Sequence, residues 1–139
     1  MKLLIVDDDP VSRILMTKYY CEFGDCVVSI SGKEALIELK YAYDKGAPFD
    51  LISLDINLSD MSGIDVLKTI REIEKNKGIK NEKMAKVIMV TSHSDQDFVI
   101  SSVKAGCNNY IVKPFDRECV KEKMKALGFL PVNIIKELP

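Results

Sequence analysis

Four short apolar runs in this 139-residue chain are each followed by side chains that could do chemistry. The acidic triplet Asp7–Asp9 follows one run, and Asp55 follows a later one. Thr91 provides a hydroxyl group after another run, and Lys113 provides an ammonium group after the last. An aspartate beside a metal ion, with a hydroxyl and an ammonium group close by, is suited to phosphoryl transfer. The carboxylate is the nucleophile, and the positive groups and the hydroxyl bind the oxygens of the transferred group.

Short apolar runs alternate with longer amphipathic segments along the chain. The runs are too short for helices and are apolar at successive positions, which is typical of strands covered on both faces. They span Leu3–Val6, Val27–Ile30, Leu51–Leu54, Val87–Val90 and Tyr110–Val112. The segments between them carry apolar residues at helical spacing. This alternation predicts an α/β fold, in which a single sheet of five parallel strands is doubly wound with helices on both faces.

The acidic residues predict a cation site at one edge of this sheet. Ligands of open α/β sheets bind at the carboxyl ends of the strands, where the strand order reverses. If the first and third strands are neighbours, at least three carboxylates converge there and require a cation. Oxygen ligands with no His or Cys nearby favour Mg²⁺, with Mn²⁺ as the next candidate. Each aspartate alone is more often a helix cap or turn residue, but the whole set at strand ends indicates function.

Several residues predict where helices begin and end. Pro10 suits a first helical turn, and Ser31 and Glu34 have the spacing of a capping box. Four glycines follow helical segments, where a left-handed backbone is expected. They are Gly24, Gly46, Gly106 and Gly128. Residues 75–86 are polar and are expected to form a solvated helix end, with a partner site as the alternative. The tail 128–139 has helical apolar spacing and is expected to pack back on the domain, with an interaction helix or the start of a linker as alternatives.

Composition excludes several classes of protein. The chain has 20 Lys and Arg against 21 Asp and Glu, and it lacks the basic stripe that direct nucleic-acid binding requires. It lacks an apolar run of about 20 residues, so we expect no membrane span and a cytoplasmic location. The cysteines do not have the spacing of a zinc site and are expected to be free thiols, a disulfide framework being the alternative. They are Cys21, Cys26, Cys107 and Cys119.

The motifs at the predicted strand ends resemble those of one family, the CheY-like receiver domains of two-component response regulators. They are Leu3–Pro10, Leu51–Leu58 with Gly63, Val90–Ser92, Ala105–Gly106 and Tyr110–Phe115. The resemblance spans residues 1–127 as a single receiver domain and leaves 128–139 as a tail. It implies the (βα)5 arrangement with flavodoxin-like strand order 2-1-3-4-5.

The resemblance also assigns roles to the acidic residues. Asp55 corresponds to the phosphoacceptor, which receives a phosphoryl group from a sensor histidine kinase, a histidine phosphotransfer protein or a small phosphodonor. Asp8, Asp55 and the main-chain carbonyl of Asn57 correspond to the Mg²⁺ ligands, with Asp7 acting through a water molecule. Such a protein is a phosphorylation-activated signalling switch that catalyses only its own phosphorylation and dephosphorylation.

Further positions correspond to the switch of this family. Thr91 and Lys113 match the hydroxyl and ammonium that bind the phosphoryl oxygens, and Tyr110 matches an aromatic residue whose rotamer reports the state of the site. The surface of the fourth helix, fifth strand and fifth helix would then bind an unknown target protein or form a dimer, the alternative being a monomer. The resemblance also implies a cis peptide bond between Lys113 and Pro114.

Two residues near the site carry separate expectations. Ser59 stands where the family usually has proline, which predicts a looser loop after Asp55 because proline would fix one backbone angle. His93, the only histidine, is either an exposed loop residue without a role or, with Asn57, flanks the path of the attacking water and sets the lifetime of the phosphate.

Other functions remain as alternatives. One is a receiver that acts as an adaptor without phosphorylation. A haloacid-dehalogenase-type aspartyl-phosphate hydrolase is disfavoured, because Asn57 stands where that family needs a second aspartate as the general acid. A flavodoxin-like electron carrier is disfavoured because Asp7–Asp9 would repel a flavin phosphate. The chain is expected to be either a stand-alone receiver or a fragment of a longer regulator.

Overall fold

One parallel sheet of five strands lies at the centre of this computed structural model, which describes residues 1–92 and 96–139. The strands are β1 (Lys2–Val6), β2 (Asp25–Ser29), β3 (Leu51–Asp55), β4 (Lys86–Thr91) and β5 (Asn109–Val112). They lie in the order β2-β1-β3-β4-β5, and every neighbouring pair is parallel. The predicted α/β fold and its strand order are therefore confirmed.

Helices connect the strands and also follow the last one. In the described part of the chain they are α1 (Pro10–Tyr20), α2 (Gly32–Asp44), α3 (Gly63–Asn76), α4 (Gln96–Lys104), α5 (Arg117–Ala126) and α6 (Val132–Glu137). A short 3₁₀ turn, Asn81–Lys83, precedes β4. Each of the described helices falls short of the length and apolar character that a bilayer crossing requires.

The two faces of the sheet bury alternate residues of the same strands. Leu3 and Ile5 pack with residues of α1 and α5, whereas Leu4 and Val6 pack with residues of α2 and α3. Successive side chains of a strand point to opposite faces. A strand between two helical layers must therefore be apolar at every position, which is why the runs lack alternation.

The second strand differs from its predicted limits. The sequence predicts Val27–Ile30, but β2 spans Asp25–Ser29 because its backbone pairs with β1 from Lys2 opposite Asp25 onward. Ile30 lies beyond the strand and is 52 % exposed. Backbone pairing at the sheet edge, and not hydrophobicity, determines where this strand begins and ends.

Polar caps begin the helices that lead away from the carboxyl ends of the strands. The Asp9 carboxylate accepts a hydrogen bond from the Ser12 N–H at 3.1 Å, and Pro10 is the first residue of α1. Ser31 Oγ accepts from the Glu34 N–H at 3.1 Å, which confirms the predicted cap of α2. These caps satisfy N–H groups that have no partner inside the helix.

Three of the four predicted left-handed glycines are confirmed, at Gly46, Gly106 and Gly128. The prediction for Gly24 is wrong, because its backbone lies outside the left-handed region. A Cβ atom at Gly24 would lie 2.3 Å from the Met1 carbonyl oxygen. This position requires glycine because two backbone segments approach closely there.

A buried ion pair lies at the end of the sheet opposite the acidic residues. Arg71 Nη1 donates to Glu74 Oε1 at 2.7 Å and to the Ala85 carbonyl at 2.8 Å, and Glu74 is fully buried. The guanidinium also donates to the Gly106 carbonyl at 2.9 Å and to Asn108 Oδ1 at 2.9 Å. The polar stretch after α3 is thus tied to the core at its beginning and end, and only its middle matches the solvated extension that the sequence predicts.

The tail lies against the same end of the molecule. Phe129 packs on the apolar layer between α1, α5 and the sheet, and the Val132 N–H donates to the Glu22 carbonyl at 2.8 Å. Helix α6 and the residue that follows it carry apolar side chains that are 41 to 57 % exposed. They are Ile134, Ile135 and Leu138.

Candidate functional site

Four neighbouring strands bring the predicted site residues to one edge of the sheet. Asp7 follows the last residue of β1, Asp55 and Thr91 end β3 and β4, and Lys113 follows β5. The register aligns these ends, with Asp55 opposite Val90. Strand β1 lies between β2 and β3, so the chain crosses over there and the strand order reverses. This is the location at which open α/β sheets bind ligands.

Three carboxylates of this edge form a cluster. One carboxylate oxygen from each of Asp7, Asp8 and Asp55 lies within 4.8 Å of the others. Asp7 is 2 % exposed and Asp55 is 5 % exposed, whereas Asp8 is half-buried. Hard oxygen donors grouped in this way suit Mg²⁺, which takes one or two protein carboxylates and retains several waters. The donor set therefore fits the predicted ion.

Lys113 bridges two members of this cluster. Its Nζ lies 3.1 Å from Asp7 Oδ2 and 3.0 Å from Asp55 Oδ2. The remaining carboxylate oxygens are also bound, because Asp7 Oδ1 accepts from the Asp9 N–H at 2.9 Å and Asp55 Oδ1 accepts from the Asn57 N–H at 3.0 Å. Both carboxylates are thereby held in fixed orientations beside a positive charge.

Burial and charge act in opposite directions on these groups. Burial raises the pKa of Asp55, and the Asn57 N–H and the Lys113 ammonium offset that rise only in part. Burial also works against the charge on Lys113, but the hydrogen bonds and negative charges of Asp55 and Asp7 outweigh it and raise its pKa. The lysine therefore remains a cation at neutral pH, in position to bind an anionic group on Asp55.

Sequence reasoning missed one basic residue at this edge. The Arg13 guanidinium, in the second turn of α1, donates through Nη1 to the Asp7 carbonyl at 3.0 Å. This bond fixes the backbone of Asp7, whose side chain is held by the Asp9 N–H and Lys113. A lone arginine on an amphipathic helix carries no local signal for such a role.

The predicted switch residues lie on adjacent strands. Thr91 is 1 % exposed, and its carbonyl accepts from the Lys113 N–H at 2.7 Å. Tyr110 is half-buried against the apolar layer of α2 and α3, and Lys123 Nζ lies 4.9 Å from the centre of its ring. The peptide bond between Lys113 and Pro114 is cis, as the family resemblance implies. His93 lies outside the described residues, so its predicted role at the water path stays a prediction.

Backbone contacts close the base of the loop that contains Ser59. Its base is closed by a backbone bridge between Asn57 and Ser62, and the Gly63 N–H donates to the Ile56 carbonyl at 2.7 Å. A Cβ atom at Gly63 would lie 2.1 Å from the Asp55 carbonyl oxygen, so only glycine fits there. These contacts restrict the base of the loop, and the looser backbone that Ser59 predicts stays a prediction.

Comparisons with known proteins agree with this geometry. The sequence model of a family described as the response regulator receiver domain matches residues 3–125. The chemotaxis protein CheY1 of Helicobacter pylori is 34 % identical over 129 residues, which cover 91 % of this chain and 96 % of that protein.

Solved structures of similar proteins have the same fold. CheY in the CheX-CheY-BeF3-Mg²⁺ complex of Borrelia burgdorferi aligns with a TM-score of 0.79 and 28 % identity, covering 92 % of this chain and 89 % of that one. The response regulator TrrA of Thermotoga maritima, in complex with Mg²⁺-BeF, aligns with a TM-score of 0.70 and 32 % identity, covering 91 % and 97 %.

Proposed function

Because the chain belongs to the response regulator receiver domain family, we propose that Asp55 is its phosphoacceptor and that phosphorylation changes its contacts with partner proteins. The observation that carries this proposal is the Lys113 ammonium, which lies 3.0 Å from Asp55 Oδ2 beside the acidic cluster. A lysine in this position can bind a phosphoryl oxygen on the neighbouring carboxylate without moving far.

The reaction transfers a phosphoryl group from one nucleophile to another. A carboxylate oxygen of Asp55 attacks the phosphorus of a phosphohistidine, or of a small phosphodonor, and the bond from phosphorus to the leaving group breaks. The product is an acyl phosphate on Asp55. Asp8, Asp55 and the Asn57 carbonyl would hold Mg²⁺, with Asp7 acting through water, and the bound ion would supply positive charge for the phosphoryl oxygens. Lys113 binds these oxygens from the other side.

The negative charge of the phosphoryl group drives the conformational switch. Phosphorylation adds negative charge and three acceptor oxygens to an edge that is already acidic. The Thr91 hydroxyl moves toward these oxygens, and Tyr110 occupies the space that the threonine leaves. Because Tyr110 lies on β5, this rearrangement alters the surface formed by α4, β5 and α5, which is the output face.

The partners follow from this mechanism. A sensor histidine kinase or a histidine phosphotransfer protein donates the phosphoryl group, and a target protein or a second copy of the chain binds the output face. The protein works in the cytoplasm as a signalling domain with no separate substrate. A phosphorylation-independent adaptor would have no need for the lysine bridge between Asp7 and Asp55. A hydrolase of the dehalogenase type would lack its general acid at Asn57.

Intact-mass measurement tests the phosphoacceptor. The full chain is incubated with phosphoramidate and Mg²⁺, beside an Asp55→Asn variant and a receiver domain known to react. We expect the mass of one phosphoryl group on the wild type, none on Asp55→Asn, and loss of the gain when EDTA is added. An unmodified wild type beside a modified control receiver would refute the assignment.

A further inference from the structure

Asp60, which has no role in the proposed chemistry, holds the tip of the loop after Asp55. One oxygen of its carboxylate accepts from the Gly32 N–H at 2.9 Å, and the other accepts from the Lys33 N–H at 2.9 Å. These are the first two N–H groups of α2, which have no acceptor within the helix. Ser31 Oγ accepts the next one, from Glu34. The start of α2 therefore depends on Asp60 for two of its backbone bonds.

Steric contact reinforces this attachment. A Cβ atom at Gly32 would lie 2.5 Å from Met61 Cγ and 2.8 Å from a methyl carbon of Val66. The residue after Asp60 thus packs directly on the first residue of α2. Hydrogen bonds from the Lys33 and Gly32 N–H groups also hold the pKa of Asp60 below its usual value, so the carboxylate stays charged beside the positive end of the helix.

The loop links Asp60, and its attachment to α2, to the acidic site at Asp55. Its base is closed by the Asn57–Ser62 bridge, and the Asn57 N–H donates to Asp55 Oδ1. Only two residues separate Asn57 from Asp60, so the tip is close enough along the chain for its attachment to influence the backbone of Asn57. Ser59 lies in this interval and leaves a backbone angle free that proline would fix.

We propose that Asp60 is a positioning residue, which fixes the backbone of Asn57 relative to Asp55 by tying the loop to the N-terminus of α2. The proposal rests on the proposed function, because it concerns the Mg²⁺ and phosphoryl site that this function requires. Asp60 replaces, through an attachment between two elements, the local rigidity that proline would provide.

Mg²⁺ affinity is the most direct test. Isothermal titration calorimetry of the full chain gives the Kd for Mg²⁺ in the wild type, Asp60→Ala, Asp60→Asn and the control Asp65→Ala. Asp65 is an exposed acid in the first turn of α3, so its loss matches the change in charge without touching the start of α2. We expect Asp60→Ala to raise the Kd about 3- to 10-fold and Asp60→Asn to raise it less, because an amide has one acceptor oxygen. Asp65→Ala should stay within about twofold of the wild type.

Measurements of thermal unfolding and of phosphorylation distinguish the possible results of this test. A lower Tm for Asp60→Ala with an unchanged Kd for Mg²⁺ would show a helix cap without a positioning role and would overturn the proposal. Absence of measurable Mg²⁺ binding in the wild type would overturn it too. A raised Kd in the Asp60 variants, together with a wild type that phosphoramidate leaves unmodified, would support positioning and refute only the proposed function. If Asp60→Ala does not fold, Asp60→Asn carries the test.

Discussion

The proposed function gives Lys113 two effects that oppose each other within the acidic cluster. Its ammonium neutralises Asp7 and Asp55 before phosphorylation, and it lies where a divalent cation and a phosphoryl group would both need to approach. Two cations near the same carboxylates repel each other, whereas an ammonium and a phosphoryl group attract. The lysine should therefore weaken the binding of Mg²⁺ and favour the phosphorylated state.

Replacing Lys113 with methionine tests this opposition. We expect Lys113→Met to bind Mg²⁺ roughly tenfold more tightly, because one positive charge leaves the cluster. The same variant should accept a phosphoryl group from phosphoramidate about 100-fold more slowly, because a donor to the transferred oxygens is gone. Calorimetry and intact-mass time courses measure the two quantities.

Lys125→Met is the matched control, since Lys125 is an exposed lysine of α5 and, like Lys113, follows β5 in the sequence. It should leave both quantities unchanged. Weaker Mg²⁺ binding by Lys113→Met would contradict the account, because it would mean that the ammonium stabilises the ion site.

Residues such as Asp55 and Lys113 could be predicted from the sequence because each comes directly after a recognisable strand. Arg13 and Asp60 could not. Asp60 bonds to backbone groups 27 and 28 positions away, and the Arg13 side chain binds a backbone carbonyl, which any residue could provide. Their roles depend on the packing of elements and leave no local pattern.

At the scale of elements, the Arg71 network holds the amino-terminal end of β4 and the segment before β5. Glu74 accepts from the Arg71 guanidinium and from the Ala85 N–H at 2.8 Å, with no part of its side chain exposed. The sequence could not reveal this pairing of α3 with the segment before β5, because Arg71 and Gly106 are 35 positions apart.

Removing one partner of this ion pair should destabilise the folded protein. We expect Glu74→Ala to lower the free energy of unfolding by about 3 kcal/mol, because it leaves a guanidinium without its buried carboxylate. Urea denaturation of Glu74→Ala, Arg71→Ala and the double variant measures the coupling. The double variant should lose less than the sum of the single variants, and strict additivity would show that the pair does not act as a unit.

A second contact between elements is sensitive to pH. Arg117, at the start of α5, donates through Nε to both carboxylate oxygens of Glu22, each at 3.0 Å, and this hydrogen bonding lowers the pKa of Glu22. A carboxyl whose pKa is lower in the folded state stabilises the protein above its unfolded pKa. That contribution disappears as the pH falls through the folded pKa.

Glu22→Gln should therefore be less stable than the wild type at pH 7, and the difference should shrink as the pH falls to 3. The pair lies at the protein surface, so the difference at pH 7 should be below about 1 kcal/mol. Thermal unfolding at both pH values measures it. A difference that persists unchanged at pH 3 would exclude the charge of Glu22 as its cause.

For the molecule as a whole, the alternation of strands and helices was sufficient to predict the sheet. Strands buried on both faces leave a strong apolar pattern, and right-handed crossovers restrict the way in which they can be joined. The limits of β2 and the backbone of Gly24 were predicted less well, because both depend on close contact between the first and second strands. The tail helix was visible only as apolar spacing.

The two ends of the sheet carry different sets of groups. The carboxyl ends of the strands carry the acidic cluster and Lys113, whereas the opposite end carries the Arg71 network and the docked tail. The hydrogen bonds of the opposite end restrain it, so under the proposed function a change of charge at the site would act through β5 and its neighbouring helices. This division gives the central claim of the account: occupation of the acidic site alters the surface around Tyr110.

The most direct test is ¹H–¹⁵N NMR of the full chain with Mg²⁺, before and after adding beryllofluoride as a phosphoryl mimic. We expect shifts at Asp55 and Lys113 that extend to Tyr110 and the exposed face of α5. In Thr91→Ala the shifts at Asp55 and Lys113 should remain, and those at Tyr110 and α5 should be lost. Wild-type shifts confined to the acidic site, or the same shifts at Tyr110 in Thr91→Ala, would contradict it.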